Sequence, residues 1–256
     1  MMKKKQNGAT LIVVLILLLV ITVIGTLAIR GSLTALSIAT NSQAQQLLLQ
    51  NSDSALFNVE NPKSLTFNLS PNGLFGWIKR DENKGKELVF CYRGSATSFF
   101  DVANASAISW RSGSSPTNSE LGIDGYCKMD SSNNFFTSGR QAVMTQVMIK
   151  VNINSANQVV GLDKAFSYVQ LGTDVDSAKI DKAEKIMVVA TSIIPSMSSA
   201  SESSINACFS THMSQVVIPS GVSPATGMNK SVAECLQELG VPVSTQVAEY
   251  KLIQAF

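Results

Sequence analysis

From Ala9 to Ile29 the sequence reads ATLIVVLILLLVITVIGTLAI, an apolar run interrupted only by Thr10, Thr22, Gly25 and Thr26. No charge occurs between Gln6 and Ile29, and the run is flanked by Lys3-Lys4-Lys5 and by Arg30. At about 1.5 Å per residue a helix of this length covers about 31 Å, which matches a bilayer core of about 30 Å. The triple lysine is expected to remain cytoplasmic, so the rest of the chain faces outward, into a periplasm in a two-membrane bacterium. A cleaved secretory signal is the alternative, with Ser37-Ile38-Ala39 as its small-residue site. Such signals, however, have apolar regions of only about 7 to 15 residues.

A plain single-span anchor explains this run but not its continuation. After Arg30 there is no charge until Asp53, and no proline until Pro62. Ile29, Leu33 and Leu36, then Ala44, Leu47 and Leu48, recur at intervals of three and four, with Ser, Thr and Gln on the other faces. That pattern predicts an amphipathic helix continuing beyond the membrane. Unbroken from Ala9 to Leu56 it would run about 72 Å, more than twice the bilayer core. A long helix almost without charge is suited to packing against other helices, where unpaired charges would be costly.

The whole chain has 256 residues, 45% hydrophobic and 15% charged, which excludes a disordered tail, a collagen-like repeat and a disulfide miniprotein. Lys+Arg 20 against Asp+Glu 18 gives +2, and without Lys3, Lys4 and Lys5 the balance becomes 17 against 18. No direct nucleic-acid partner is expected from such a balance. The densest basic cluster, Lys79, Arg80, Lys84 and Lys86, is interleaved with Asp81, Glu82 and Glu87. It reads as a solvated turn, with Gly85 marking a hairpin tip.

Lys3-Lys4-Lys5-Gln6-Asn7-Gly8-Ala9-Thr10, followed directly by the apolar run, resembles the class III leader of type IV pilins. The resemblance implies that a prepilin peptidase cuts between Gly8 and Ala9 and that Ala9 becomes the N-methylated first residue. The departure is Val13, the fifth residue after that cut, where major pilins carry a glutamate thought to pair with the terminal amine of a subunit already in the filament. Loss of that carboxylate is typical of a minor pilin placed first, at the tip. Gly25, Ala28 and Arg30, then Asn41, Gln46, Gln50, Asp53, Ala55 and Leu56, narrow the resemblance to PilX-type minor pilins over roughly residues 1 to 60.

The implied organisation is a leader at 1–8, a transmembrane segment at 9–29, a periplasmic helical continuation at 30–60 and a pilin-like head at 61–256. The implied role is priming of type IV pilus assembly near the tip, with twitching motility, adhesion and DNA uptake as consequences. The partners are other minor pilins and the major pilin through the helix, the prepilin peptidase, the inner-membrane assembly platform and a tip adhesin. The final location is the inner membrane and then the extracellular pilus. A K-like minor pseudopilin of type II secretion also lacks the glutamate and is the nearest rival. A membrane-anchored periplasmic enzyme or sensor is the alternative of another class.

Past Asn61-Pro62, a helix-terminating pair, the pattern predicts strands at Leu65–Leu69, Glu87–Tyr92, Gln141–Ile153, Ala165–Leu171 and Lys185–Ile194. Ser231-Val232-Ala233-Glu234 resembles a capping box that opens a short helix, with Gly240 and Pro242 as stop signals. The expected class is therefore α+β, a long transmembrane helix continuing into a head with a mainly antiparallel sheet.

Cys91, Cys127, Cys208 and Cys235 all lie in the exported part and read as two disulfides with three open connectivities. Nearest-neighbour pairing, Cys91 with Cys127 and Cys208 with Cys235, is the favoured one. By the pilin resemblance, the second pair would close a carboxy-terminal loop of the head.

No catalytic residue and no cofactor is expected. The chain has one histidine, His212, and no G-x-S-x-G, H-E-x-x-H or P-loop. Ser196 to Ser204 reads as a flexible loop. Asp174, Asp176 and Asp181 are a weak calcium candidate without the glycine and closing glutamate of an EF-hand, and a charged surface turn is the preferred reading. Trp77, Phe99, Phe100 and Trp110 are either an adhesive patch or core, and core is the commoner role.

Overall fold

The computed structural model describes residues 9–94, 96, 98–116, 120–136, 141–151 and 183–253. Helix α1, Ala9–Val59, is continuous, as expected of a segment without proline. The chain divides into two compact units, Met1–Ala44 and Gln45–Phe256, so α1 contributes to both.

The predicted strand at Leu65–Leu69 is instead the end of a second helix, α2, Pro62–Leu69. Asn61 does more than terminate α1. Its Oδ1 accepts from the Lys63 backbone N–H at 3.0 Å, capping α2, while Pro62 occupies the first turn, where its missing N–H is harmless. A short helix α3, Leu74–Ile78, packs on α2. Gly73 and Gly76 permit this approach, because a Cβ on either would collide with the backbone carbonyls of Phe67 and Ser70.

The hairpin expected at Gly85 is also absent. Asp81–Asn83 forms one turn of 3-10 helix, and Gly85, with φ of 91°, leads the chain from α3 into the sheet. The charges of this turn are paired at the surface, Lys84 with Asp81 at 2.6 Å and Lys86 with Glu120 at 2.7 Å. The solvated-turn reading holds for Asp81 and Lys84 but not for Glu87, which is fully buried in β1 and accepts from Ser214.

Five antiparallel strands follow: β1 Glu87–Cys91, β2 Ser106–Ile108, β3 Met144–Val151, β4 Ala183–Ile193 and β5 Val243–Ile253. Their order is β2-β1-β3-β4-β5. Strands β1, β3 and β4 correspond to predicted strands, Ala165–Leu171 lies outside the described residues, and β2 and β5 were not anticipated. The segment Ser196–Ser204, expected as a loop, holds a 3-10 turn at Pro195–Met197 and the start of helix α4, Glu202–Thr211. Ser201 caps α4 by accepting from the Ser204 N–H at 3.2 Å. Helix α5, Val232–Glu238, opens on the capping box that its sequence predicts.

The sheet is covered on both faces. Period-two alternation sends Val147, Ile149, Ile186 and Val188 to one face, where they pack with Ala55 and Val59 of α1 and Leu74 to Ile78 of α3. Met144, Met148, Val189 and Ile193 point to the other, where they meet Ile205, Cys208 and Phe209 of α4 and Val232 and Leu236 of α5. Within the second unit, α1 buries Leu48, Ser52, Ala55 and Val59, a stripe at helical spacing.

Ser52 brings a polar group into that interface. Its Oγ lies 2.7 Å from Ser192 Oγ, which lies 2.7 Å from Thr145 Oγ1, and all three residues are fully buried. Ser192 is the shared member, so Ser192→Ala strands two buried hydroxyls and is expected to lower stability by about 2–4 kcal/mol. Ser52→Ala leaves the Ser192–Thr145 bond intact and is expected to lose only about 1 kcal/mol. Chemical denaturation of the two variants checks this ranking, and equal losses would contradict it.

Candidate functional site

The surface of α1 is the most unusual chemistry in the molecule. Every described side chain from Thr10 to Gln43 is exposed, including Leu11, Ile16, Leu19, Ile24, Leu33 and Ile38. This helix is long and apolar enough to cross a membrane. Five of its hydroxyls are bonded within the helix. Thr22 and Thr26 donate to the carbonyls of Leu19 and Val23, and Thr34, Ser37 and Thr40 donate to those of Arg30, Leu33 and Leu36, at 2.8 to 3.0 Å. A hydroxyl bonded to its own preceding turn requires no water, so the polar positions outside the apolar run remain compatible with a low-dielectric environment. Arg30 is the only charge from Ala9 to Ser52. The back-bonding was not read from the sequence, although Thr and Ser following apolar residues by three or four positions are its signal.

Ala9 opens α1, and Gly8 lies outside the described residues. Val13 is exposed on α1 and presents only an isopropyl group where an ion-pairing carboxylate would change the electrostatics of helix association. Asp174, Asp176 and Asp181 also lie outside the described residues. Among the described residues no group of three His, Cys, Asp or Glu side chains is placed to hold a metal ion.

The cysteines are joined as Cys91–Cys127 and Cys208–Cys235, with Cα separations of 4.9 and 5.7 Å. The first ties the end of β1 to the segment before β3. The second ties α4 to α5 and closes the carboxy-terminal loop against the sheet. Trp77, Phe100 and Trp110 are buried and Phe99 is half-buried, so the core reading of the aromatic residues holds.

His212 sits buried at the end of α4. Thr211 Oγ1 donates to the Ala207 carbonyl at 2.7 Å and lies 3.0 Å from His212 Nδ1, which assigns the ring proton to Nδ1. Nε2 has no hydrogen-bond partner. Burial, reinforced by Lys230, holds the imidazole below its ordinary 6.5. The folded state therefore favours the neutral ring, and the unfolded chain takes up the proton first as pH falls. Stability is expected to decline with falling pH below about 6.5, with a slope that levels off once the folded ring is also protonated. Urea titrations between pH 7.5 and 5 should show this slope in the native chain and its loss in His212→Gln.

Residues 7–57 match the family model described as PilX N-terminal, a span that covers α1 almost end to end and leaves most of the head outside it. No curated protein and no solved structure matches the chain. The family match thus falls on the segment whose exposed apolar surface, internally bonded hydroxyls and scarcity of charge set it apart from the disulfide-bonded head. Over this amino-terminal segment, and there alone, the chain is similar to the PilX N-terminal family.

Proposed function

We propose that the protein is a minor pilin that primes type IV pilus assembly and sits at or near the filament tip. The observation that carries this reading is the coincidence of the PilX match at residues 7–57 with an exposed, nearly charge-free α1 that lacks a carboxylate at Val13. In this reading residues 1–8 are a leader removed by prepilin peptidase, Ala9 is methylated, and 9–29 span the inner membrane. Residues 30–60 continue the helix, and 61–256 form the head in the periplasm. The subunit is structural, with no catalytic step and no cofactor.

Its action follows from the helix surface. In the membrane α1 is solvated by lipid. On assembly it exchanges lipid for the helices of other minor pilins and the major pilin, an exchange driven by packing because lipid tails are as apolar as leucine. The assembly platform extrudes the complex, and a tip adhesin is a further neighbour. A subunit with Val13 has no carboxylate to neutralise an earlier subunit's amine, which suits the first position. Twitching motility, adhesion and DNA uptake depend on the resulting pili.

Deletion of the gene is expected to abolish surface pili while leaving protein secretion normal. The reverse pattern would identify a pseudopilin of type II secretion instead. Val13→Glu should allow entry below another subunit, moving immunogold label from filament tips into shafts. Unchanged labelling and pilus number would contradict the role assigned to Val13.

A further inference from the structure

A concave site lies in the second unit. A cleft of about 410 Å³ opens between the end of α1, helix α2 and the segment that follows β1. It falls in the size range of small-molecule sites, about 300–1,000 Å³. We propose that this cleft binds an acidic sugar, a pyranose bearing a carboxylate.

Charge is the first observation. Lys63 and Arg93 line the cleft, and no carboxylate does. Several other cations of the head are matched, Lys84, Lys128, Lys150 and Lys185 each pairing with Asp or Glu. Lys63 has no carboxylate partner among the described residues. Arg93 is held by neutral acceptors, Asn134 Oδ1 at 3.1 Å and the Asp124 carbonyl at 3.4 Å. Its guanidinium is thus held in position with no carboxylate partner among the described residues, an arrangement suited to anion recognition.

The walls argue for a sugar rather than a bare anion. Phe67, half exposed on α2, and Phe99 contribute rings to the cleft. Phe99 is braced against Phe90 at 5.2 Å and Tyr92 at 5.5 Å between ring centres. Inorganic phosphate gains nothing from such rings, whereas the C–H faces of a pyranose do. Asn58 Nδ2 donates to Tyr92 Oη at 2.9 Å and to the Ser54 carbonyl at 2.8 Å. Both amide hydrogens are therefore engaged, and Oδ1 is left to accept from a sugar hydroxyl. An adjoining recess of about 200 Å³ shares Arg93, Ser98 and Phe99 but is also lined by Asp101, so the uncompensated positive charge belongs to the larger cleft alone.

The test uses the full chain in dodecyldimethylamine oxide micelles, a detergent without a sugar headgroup. Ligand-observed NMR titrations employ glucuronic acid and N-acetylneuraminic acid, with glucose, acetate, inorganic phosphate and AMP as controls. Saturable binding of an acidic sugar is expected, at least about tenfold tighter than glucose and weakened about tenfold by Lys63→Gln. Phe67→Ala should weaken it several-fold. No partner of the Lys63 ammonium is lost in the first variant, and Phe67 is half exposed, so both should keep native unfolding curves. Absence of binding by either acidic sugar, equal or tighter binding of acetate, phosphate or AMP, or native affinity in both variants would overturn the proposal. Binding is read on the isolated protein, so its failure leaves the pilus-assembly reading untouched.

Discussion

Gly8→Val is expected to leave the leader attached and to reduce surface pili to the level of a gene deletion. The resemblance places the peptidase cut after Gly8, and a branched side chain there removes the small residue that the cut requires. An uncut chain keeps Lys3, Lys4 and Lys5 immediately ahead of the apolar run. Moving each of those charges through a membrane interior costs about 2.5–3.5 kcal/mol on an insertion scale. Burying them unpaired in a helix bundle is similarly unfavourable. The subunit should therefore remain in the inner membrane with its leader on the cytoplasmic side. Intact-mass measurement of the variant, together with electron microscopy of the cells, checks both parts. A variant that is still processed at Ala9, or that is normally piliated, would contradict them.

Removing the Cys208–Cys235 bond should have a large effect on head stability. The bond spans 27 residues of sequence, and loop-closure entropy for that length corresponds to about 3.5 kcal/mol. Cys208→Ala with Cys235→Ala is expected to lower Tm by on the order of 10 °C in a domain of this size. The effect is global because both ends anchor in the core under the sheet: Cys208 packs in the cluster that contains Trp110, Phe209 and Leu236, and Cys235 packs against it. The two tryptophans report on opposite faces, Trp110 on this one and Trp77 on the face covered by α1 and α3. Fluorescence unfolding of variants retaining one tryptophan each should show both faces destabilised together. A loss below about 1 kcal/mol, or a shift seen only by Trp110, would show that the bond staples a local loop and not the head.

The contrast between what was and was not readable in the sequence follows from burial. Strands β1, β3 and β4 are interior strands covered on both faces, so their sequences are nearly continuous apolar runs, such as Leu88-Val89-Phe90 and Met187-Val188-Val189. Strand β5 forms one edge. Val247 is exposed, and Thr245, Glu249 and Lys251 share its face, so the segment reads as polar connection. Helix α2 misleads in the opposite way. It buries Asn68 and exposes Leu65, Phe67 and Leu69, so its apolar residues mark the surface and not the core. Helix α4 hides in a serine-rich stretch where Ser201 acts as a cap.

The proposed assembly surface was legible because it is linear: the apolar run, the scarcity of charge and the residue at Val13 are all properties of consecutive positions. The cleft was not. Lys63 and Phe67 come from α2, Asn58 from α1 and Arg93 and Phe99 from the segment after β1, and only the fold brings them together.

The minor-pilin assignment is tested most directly by mass spectrometry of the amino-terminal peptide in pili sheared from the cell surface. A peptide beginning at N-methylated Ala9 in that fraction, at low stoichiometry to the major subunit, is the expected result. A chain that begins at Met1 and is found only in membranes of cells with active prepilin peptidase would contradict it.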